Sequence, residues 1–347
     1  MQTVAPNNVA KPFINGKPVA SHKFDWLIVG LSVWMISGIQ LDAWAHHQLS
    51  IETFFTPWHG VLHSGFLALA LVLIGTFVRH VMRGHAWQQA MPAGYNLSLV
   101  GVAVFLVGGV GDMVWHMLFG IEVNIEVLLS PSHLLLALGG ALLVTGPLRA
   151  AWVCTTNDSH WAALLPALLS LTLLLAILSF FTAYANPFTE LLAAQAARPL
   201  DRQEIMANQA LGITGILLQT GLMMGLLLLA VHRWSLKFGS LTLVLIISTA
   251  LTVSTHTDFQ LLPFVLGAGL IADTLYWLLK PSVTNLDGLR LFAFVTPAIF
   301  YALYFAALVF MGGIWWSIHI WSGTIVMAGI VGWLLSYAFA PPRTASE

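Results

Sequence analysis

The sequence predicts an all-α protein, a polytopic transmembrane helical bundle of about ten spans with both termini cytoplasmic. Three observations carry that expectation. The chain is 58% hydrophobic and only 8% charged, far from the mixture a soluble domain uses. Its apolar residues fall into ten runs that approach the roughly 20 residues needed to cross a hydrocarbon core about 30 Å thick. Its lysines and arginines gather in loops on one side of such a bundle, the asymmetry that sets orientation in a bilayer.

In chain order the runs are 25–45, 57–80, 95–117, 131–152, 161–184, 207–232, 239–255, 261–279, 289–311 and 315–339. Residues 1–24 form a polar cytoplasmic segment without the short apolar region and small-residue cleavage site of a signal peptide. Runs two and four have marked starts: Thr56-Pro57 and Ser130-Pro131 each set a capping hydroxyl before a proline, whose missing N–H costs nothing at the first helical position. The first four runs make a region 25–152, the last six a region 153–340, and 341–347 a cytoplasmic tail. Between runs five and six, NPFTELLAAQAARPLDRQEIMAN (186–208) is too polar to span, and its apolar residues at helical spacing predict a short interfacial helix. Runs seven and eight are short for spans.

With ten spans, Lys11, Lys17, Lys23, Arg79, Arg83, Arg149, Arg233, Lys237, Lys280, Arg290 and Arg343 share one side and only Arg198 and Arg202 lie opposite. The expected site is a bacterial inner membrane, with the lipid bilayer as first partner. A net charge of −1 from 13 basic and 14 acidic residues provides no polybasic stripe, so nucleic acid is excluded as a partner. The single Cys154 excludes an internal disulfide and any cysteine-based zinc or iron-sulfur site. Metal chemistry must therefore use nitrogen and oxygen.

The 13 histidines divide by the same topology. His22, His80, His85, His160 and His232 fall among the basic residues, where a solvated interfacial role suffices. The other eight collect at the outer ends of the helices together with Asp42, Glu52, Asp112, Glu122, Glu126 and Asp258. Asp42 and His46 are four positions apart and share a helix face; His59 follows across a turn, giving Asp-x3-His-x12-His. Asp112, His116 and His133 repeat the arrangement as Asp-x3-His-x16-His. Glu52 precedes His59, and Glu126 precedes His133, by seven positions in both copies, and "TPWH" answers "SPSH". One membrane-embedded His or Asp is readily explained as a bond to a neighbouring helix; a repeated triad is a better candidate for holding an ion. His47 and His63 flank the first triad as side chains that could orient a ligand ring or face water, while Glu52, Glu122 and Glu126 suit loop or proton-carrying roles. His256, Asp258 and His319 are candidates for a third polar cluster, and Asp273 falls mid-span, facing protein or cavity.

"DAWAHHQLSIETFFTPWHGVLHSG" (42–65) resembles the metal-binding hairpin of the copper membrane monooxygenases, the particulate methane and ammonia monooxygenase group, in the one of their subunits that carries such a hairpin. The resemblance covers roughly residues 25–150 and implies copper ligands at Asp42, His46 and His59. Its second site, opened there by Asn, falls on "GDMVWHMLFGIEVNIEVLLSPSH" and implies Asp112, His116 and His133. Asp112 replaces that Asn, and six runs follow residue 160, more than the family's hairpin-bearing subunit is expected to have. Two imidazoles and a carboxylate suit copper, iron or zinc, and the resemblance points to copper and to O₂-dependent oxidation of a small apolar substrate or ammonia. Trp44, Phe54, Phe55, Trp58 and Trp115 would then shield the oxidant, although Trp also collects at membrane interfaces. The chain has no haem motif, flavin fingerprint or cysteine cluster, so a partner or quinol would have to supply electrons; companion monooxygenase-type subunits or a homo-oligomer are the expected protein partners. Two rivals stay open: a metal transport or acquisition protein, for which Asp273 and Gln219 hint at an onward path, and a non-catalytic subunit locked by metal.

Overall fold

The computed structural model describes residues 13–14, 16–48, 56–120, 125–154, 161–194, 200–256 and 258–340, with the His47 side chain excepted. Lys11, Glu52, Phe54, Phe55, Glu122, His160, Arg198, Arg343 and the His47 side chain lie outside the described residues.

A small hairpin, β1 (Phe13–Ile14) and β2 (Lys17–Pro18), precedes the helices. These are α1 (His22–Gln48), α2 (Pro57–Met82), α3 (Asn96–Phe119), α4 (Glu126–Leu129), α5 (Pro131–Val144), α6 (Gly146–Val153), α7 (Trp161–Phe181), α8 (Arg202–Arg233), α9 (Ser240–Val253), α10 (Leu262–Leu279), α11 (Leu286–Met311) and α12 (Ile318–Phe339). Among the described residues, eight are long and apolar enough to cross a membrane. Exposed Leu71, Val107, Leu138 and Trp277 show the apolar outer surface a bilayer solvates. Inside, α1, α2, α3, α5 and α6 contribute to one apolar cluster and α6 through α12 to another; Leu173 and Ile177 of α7 enter the first, Leu168 and Leu175 the second.

Two helical hairpins, α1–α2 and α3–α5, form the first region, and glycine sets how closely each pair approaches. A Cβ at Gly38 would meet the Leu62 backbone at 2.5 Å, and one at Gly139 the Phe105 backbone at 2.6 Å. Small residues let helices touch where lipid offers no hydrophobic drive for association.

The run 131–152 is not one straight helix. It bends by 43° between α5 and α6, at Thr145-Gly146-Pro147, because proline removes a donor from the ladder. The freed groups find partners: Ser170 of α7 accepts from the Leu148 N–H at 3.2 Å and donates to the Val144 carbonyl at 2.6 Å, and Arg149 donates to the Leu142 carbonyl at 2.9 Å. A break inside a membrane is tolerated on those terms.

The expected interfacial helix between runs five and six is absent among the described residues. Asn186 accepts the Phe188 N–H in a side-chain turn, Thr189 bonds back to the Ala183 carbonyl, and Ala194 bridges to Ile314, so the segment 186–194 is held as turns against the α11–α12 connection. The last part of the segment belongs instead to the start of α8, five positions before residue 207, fixed by a reciprocal capping box between Asp201 and Glu204. The run at 239–255 yields only the 14 residues of α9, about 21 Å at 1.5 Å per residue.

Asp273 is explained within the fold. Buried in α10, it accepts from the Leu241 and Thr242 amides at 3.1 and 2.9 Å and from the Thr242 hydroxyl, capping α9 from a neighbouring helix.

Candidate metal centre

Asp42 and His46 leave the last turns of α1 on one face; the α1–α2 hairpin brings His59 to them from the first turn of α2. His59 Nε2 lies 3.4 Å and His46 Nε2 3.7 Å from Asp42 Oδ2. Asp112 and His116 of α3 meet His133 of α5 likewise, with His116 Nε2 3.4 Å from Asp112 Oδ2 and His133 Nε2 3.3 Å from Oδ1. In each trio one ligand atom per residue lies within 4.8 Å of the others. The ring pairs match as well: His46–His59 centroids are 6.1 Å apart and His116–His133 5.9 Å.

These separations exceed the 2.7–2.9 Å of a charge-assisted hydrogen bond. They fit two donors of one small cation. Bonds of about 2.0–2.2 Å meeting at tetrahedral or trigonal angles give donor–donor edges of about 3.3–3.8 Å.

The caps also orient two of these histidines. Thr56 Oγ1 accepts from the His59 N–H at 3.2 Å and bonds the His59 Nδ1 at 3.0 Å; Ser130 Oγ does both for His133, at 3.4 and 2.7 Å. With Nδ1 engaged, Nε2 is the nitrogen presented to the carboxylate, the usual division of labour in a ligating imidazole. The Thr-Pro and Ser-Pro signals read as helix starts therefore serve a second purpose that spacing alone did not reveal.

The sites differ in how the carboxylate is held: both histidines of the first face Asp42 Oδ2, those of the second face different oxygens of Asp112. Ser132 donates to Asp112 Oδ1 at 2.9 Å and lies 3.2 Å from Ser130 Oγ. The corresponding residue of the first site is Trp58, which has no such hydroxyl. Asp42 Oδ1 is buried without a hydrogen-bond partner among the described residues. Such an orphaned carboxylate oxygen costs free energy unless a cation reaches it.

The two groups are neighbours: the Asp112 charge acts on Asp42, His59 and His63, and His116 acts on His46. Two carboxylates so placed repel each other when bare, a strain that cations relieve.

Of the flanking candidates, His63 stacks on His59 at 5.9 Å and 15°, supporting the ring from behind. Glu126, at the start of α4, is exposed. His256, Asp258 and His319 do not form a third group of this kind; the two trios are the groups of three found among the described residues. His256 instead lies with Nδ1 2.8 Å from Thr255 Oγ1. Gln219 is engaged by Ser179 at 3.2 Å and Thr182 at 2.7 Å.

Fold and site together define a multi-pass helical protein with paired carboxylate–imidazole groups at one end of the bundle. In comparisons with known proteins, the chain matches no family model, no curated protein and no solved structure.

Proposed function

We propose that this chain is a copper-binding protein of a bacterial inner membrane, distantly related to the hairpin-bearing subunit of the copper membrane monooxygenases and supporting O₂-dependent oxidation of a small apolar substrate or ammonia. The observation that carries the reading is the duplicated trio, each with a cap hydroxyl aimed at the Nδ1 of the histidine that opens the second helix. Counting the eight full spans, the bent α5–α6 pair and short α9 as one crossing each gives the ten of this reading, which would leave both termini cytoplasmic and the trios on the outer side.

In this reading Asp42, His46 and His59 hold one ion and Asp112, His116 and His133 a second. Three donors leave room for a further ligand, which favours a reactive ion over one that merely locks helices. Copper bound there would supply one-electron redox chemistry toward O₂. Thr56 and Ser130 keep the ligating nitrogens aimed, Asp42 and Asp112 offset the cation's charge, and Ser132 holds the Asp112 carboxylate in register. Electrons enter from a companion subunit or quinol. A transport path is disfavoured because Asp273 and Gln219 are spent on structural bonds.

The test is electron paramagnetic resonance of the Cu(II)-loaded chain. Nitrogen coupling from two imidazoles per copper, with a signal that vanishes on reduction and returns with O₂, is the expected result. A spectrum without nitrogen coupling would overturn the site; coupling without reoxidation by O₂ would overturn the oxidase-type role.

A further inference from the structure

At the opposite end of the bundle from the two trios, a cavity of about 360 Å³ opens between β2, the start of α3 and the end of α6. Its chemistry is anionic in preference, on three counts. The first is the start of α3: Tyr95 provides no side-chain cap, and neither the Asn96 nor the Leu97 amide has an acceptor among the described residues. Unpartnered first-turn amides and the helix dipole attract negative charge.

The second is Arg149. Its Nε donates to the Gly94 carbonyl, Nη2 to Ser98 and the Leu142 carbonyl, and Nη1 to Thr145. All four acceptors are neutral. A guanidinium has five N–H groups, so one on Nη1 remains, and no carboxylate pairs with this cation among the described residues. The third is Lys17, carried over the cavity by a hairpin whose Pro18 carbonyl accepts the Ala93 N–H at 2.9 Å. Asp25 is turned elsewhere, accepting the Tyr95 hydroxyl, and does not line the cavity.

Beside Gly94 and the Asn96 side chain, whose buried Oδ1 has no hydrogen-bond partner among the described residues, the wall is apolar and faces outward: Leu97, Trp152 and Val153 are 49%, 40% and 38% exposed. A free inorganic anion has no use for that surface, whereas a molecule with a phosphate at one end and hydrocarbon at the other covers both.

We propose that this cavity seats the phosphate of an anionic phospholipid, held by Lys17, Arg149 and the first amides of α3, with its acyl chains lying along Leu97, Trp152 and Val153. Basic pockets between helices at the cytoplasmic leaflet recognise headgroups in this way. The seat also sits against the repaired bend of α5–α6, so an occupied site would steady Arg149 where it holds the Leu142 carbonyl.

The experiment is native mass spectrometry of the full chain released from detergent containing equal amounts of phosphatidylglycerol and phosphatidylcholine, with and without millimolar inorganic phosphate. Selective retention of phosphatidylglycerol is expected. K17Q should weaken it about fivefold. L97E should abolish it, because its carboxylate occupies the anion's place while remaining favourable to the helix N-terminus. K237Q, changing an exposed lysine in the α8–α9 turn, should have no effect. Equal retention by the wild type, K17Q and L97E would overturn the proposal, as would an equal loss in K237Q. Displacement of the lipid by inorganic phosphate would assign the seat to the free anion and overturn the lipid source.

Discussion

Replacing Ser130 by alanine removes one oxygen with three attachments: the His133 N–H at 3.4 Å, the His133 Nδ1 at 2.7 Å and Ser132 Oγ at 3.2 Å. The loss of the N-cap destabilises α5 by about 1 kcal/mol. The larger effect falls on the metal. A ligating imidazole that loses the partner of its other nitrogen typically costs 10–100-fold in affinity, about 1.4–2.8 kcal/mol. In an H46A background, where only the second site is loaded, competition against a chromophoric chelator should give S130A a dissociation constant raised about 10–100-fold. S130T should restore it, since Thr56 already does this work at the first site. Parental affinity in S130A, or failure of S130T to rescue, would refute the orienting role of the cap.

Three further outcomes follow from the packing and the buried groups. G38A places a methyl 2.5 Å from the Leu62 backbone, so α1 and α2 must part at a cost of about 1–3 kcal/mol, and metal analysis should show the first ion lost and the second kept. D273A strips α9 of three hydrogen bonds to a carboxylate, each worth about 1.5–3 kcal/mol; the thermal transition in detergent should fall sharply while metal per folded chain stays constant. Tyr95 is fully buried and donates its hydroxyl to Asp25 across to α1; Y95F should lose that bond to a carboxylate, about 1.5–3 kcal/mol, and an unchanged thermal transition in detergent would count against it.

The elements legible in the sequence were those with local causes. Thr56-Pro57 and Ser130-Pro131 announced two helix starts because capping and the missing proline donor act within four residues. The trios were legible because Asp42/His46 and Asp112/His116 share a helical face and the second histidine follows a short connection. The bend at Thr145-Gly146-Pro147 was hidden inside a continuous apolar run, since its tolerance depends on Ser170 and Arg149 arriving from elsewhere. Residues 202–206 read as part of a separate interfacial segment because Arg202, Gln203 and Glu204 are too polar for the hydrocarbon, yet a helix can extend past it when a capping box closes its end. "SPSH" and "TPWH" displayed the Ser132/Trp58 difference openly, but its consequence, a satisfied Asp112 oxygen and an orphaned Asp42 oxygen, appears only when α3 and α5 are set side by side.

The most direct measurement is the metal stoichiometry of the purified full chain after loading with copper and removal of excess ion. Two tightly held ions in the wild type, one in H46A, one in H116A and none in the double variant are predicted. Wild-type copper content in both single variants, or no retained ion in the wild type, would contradict the claim that these two hairpins are built to grasp metal.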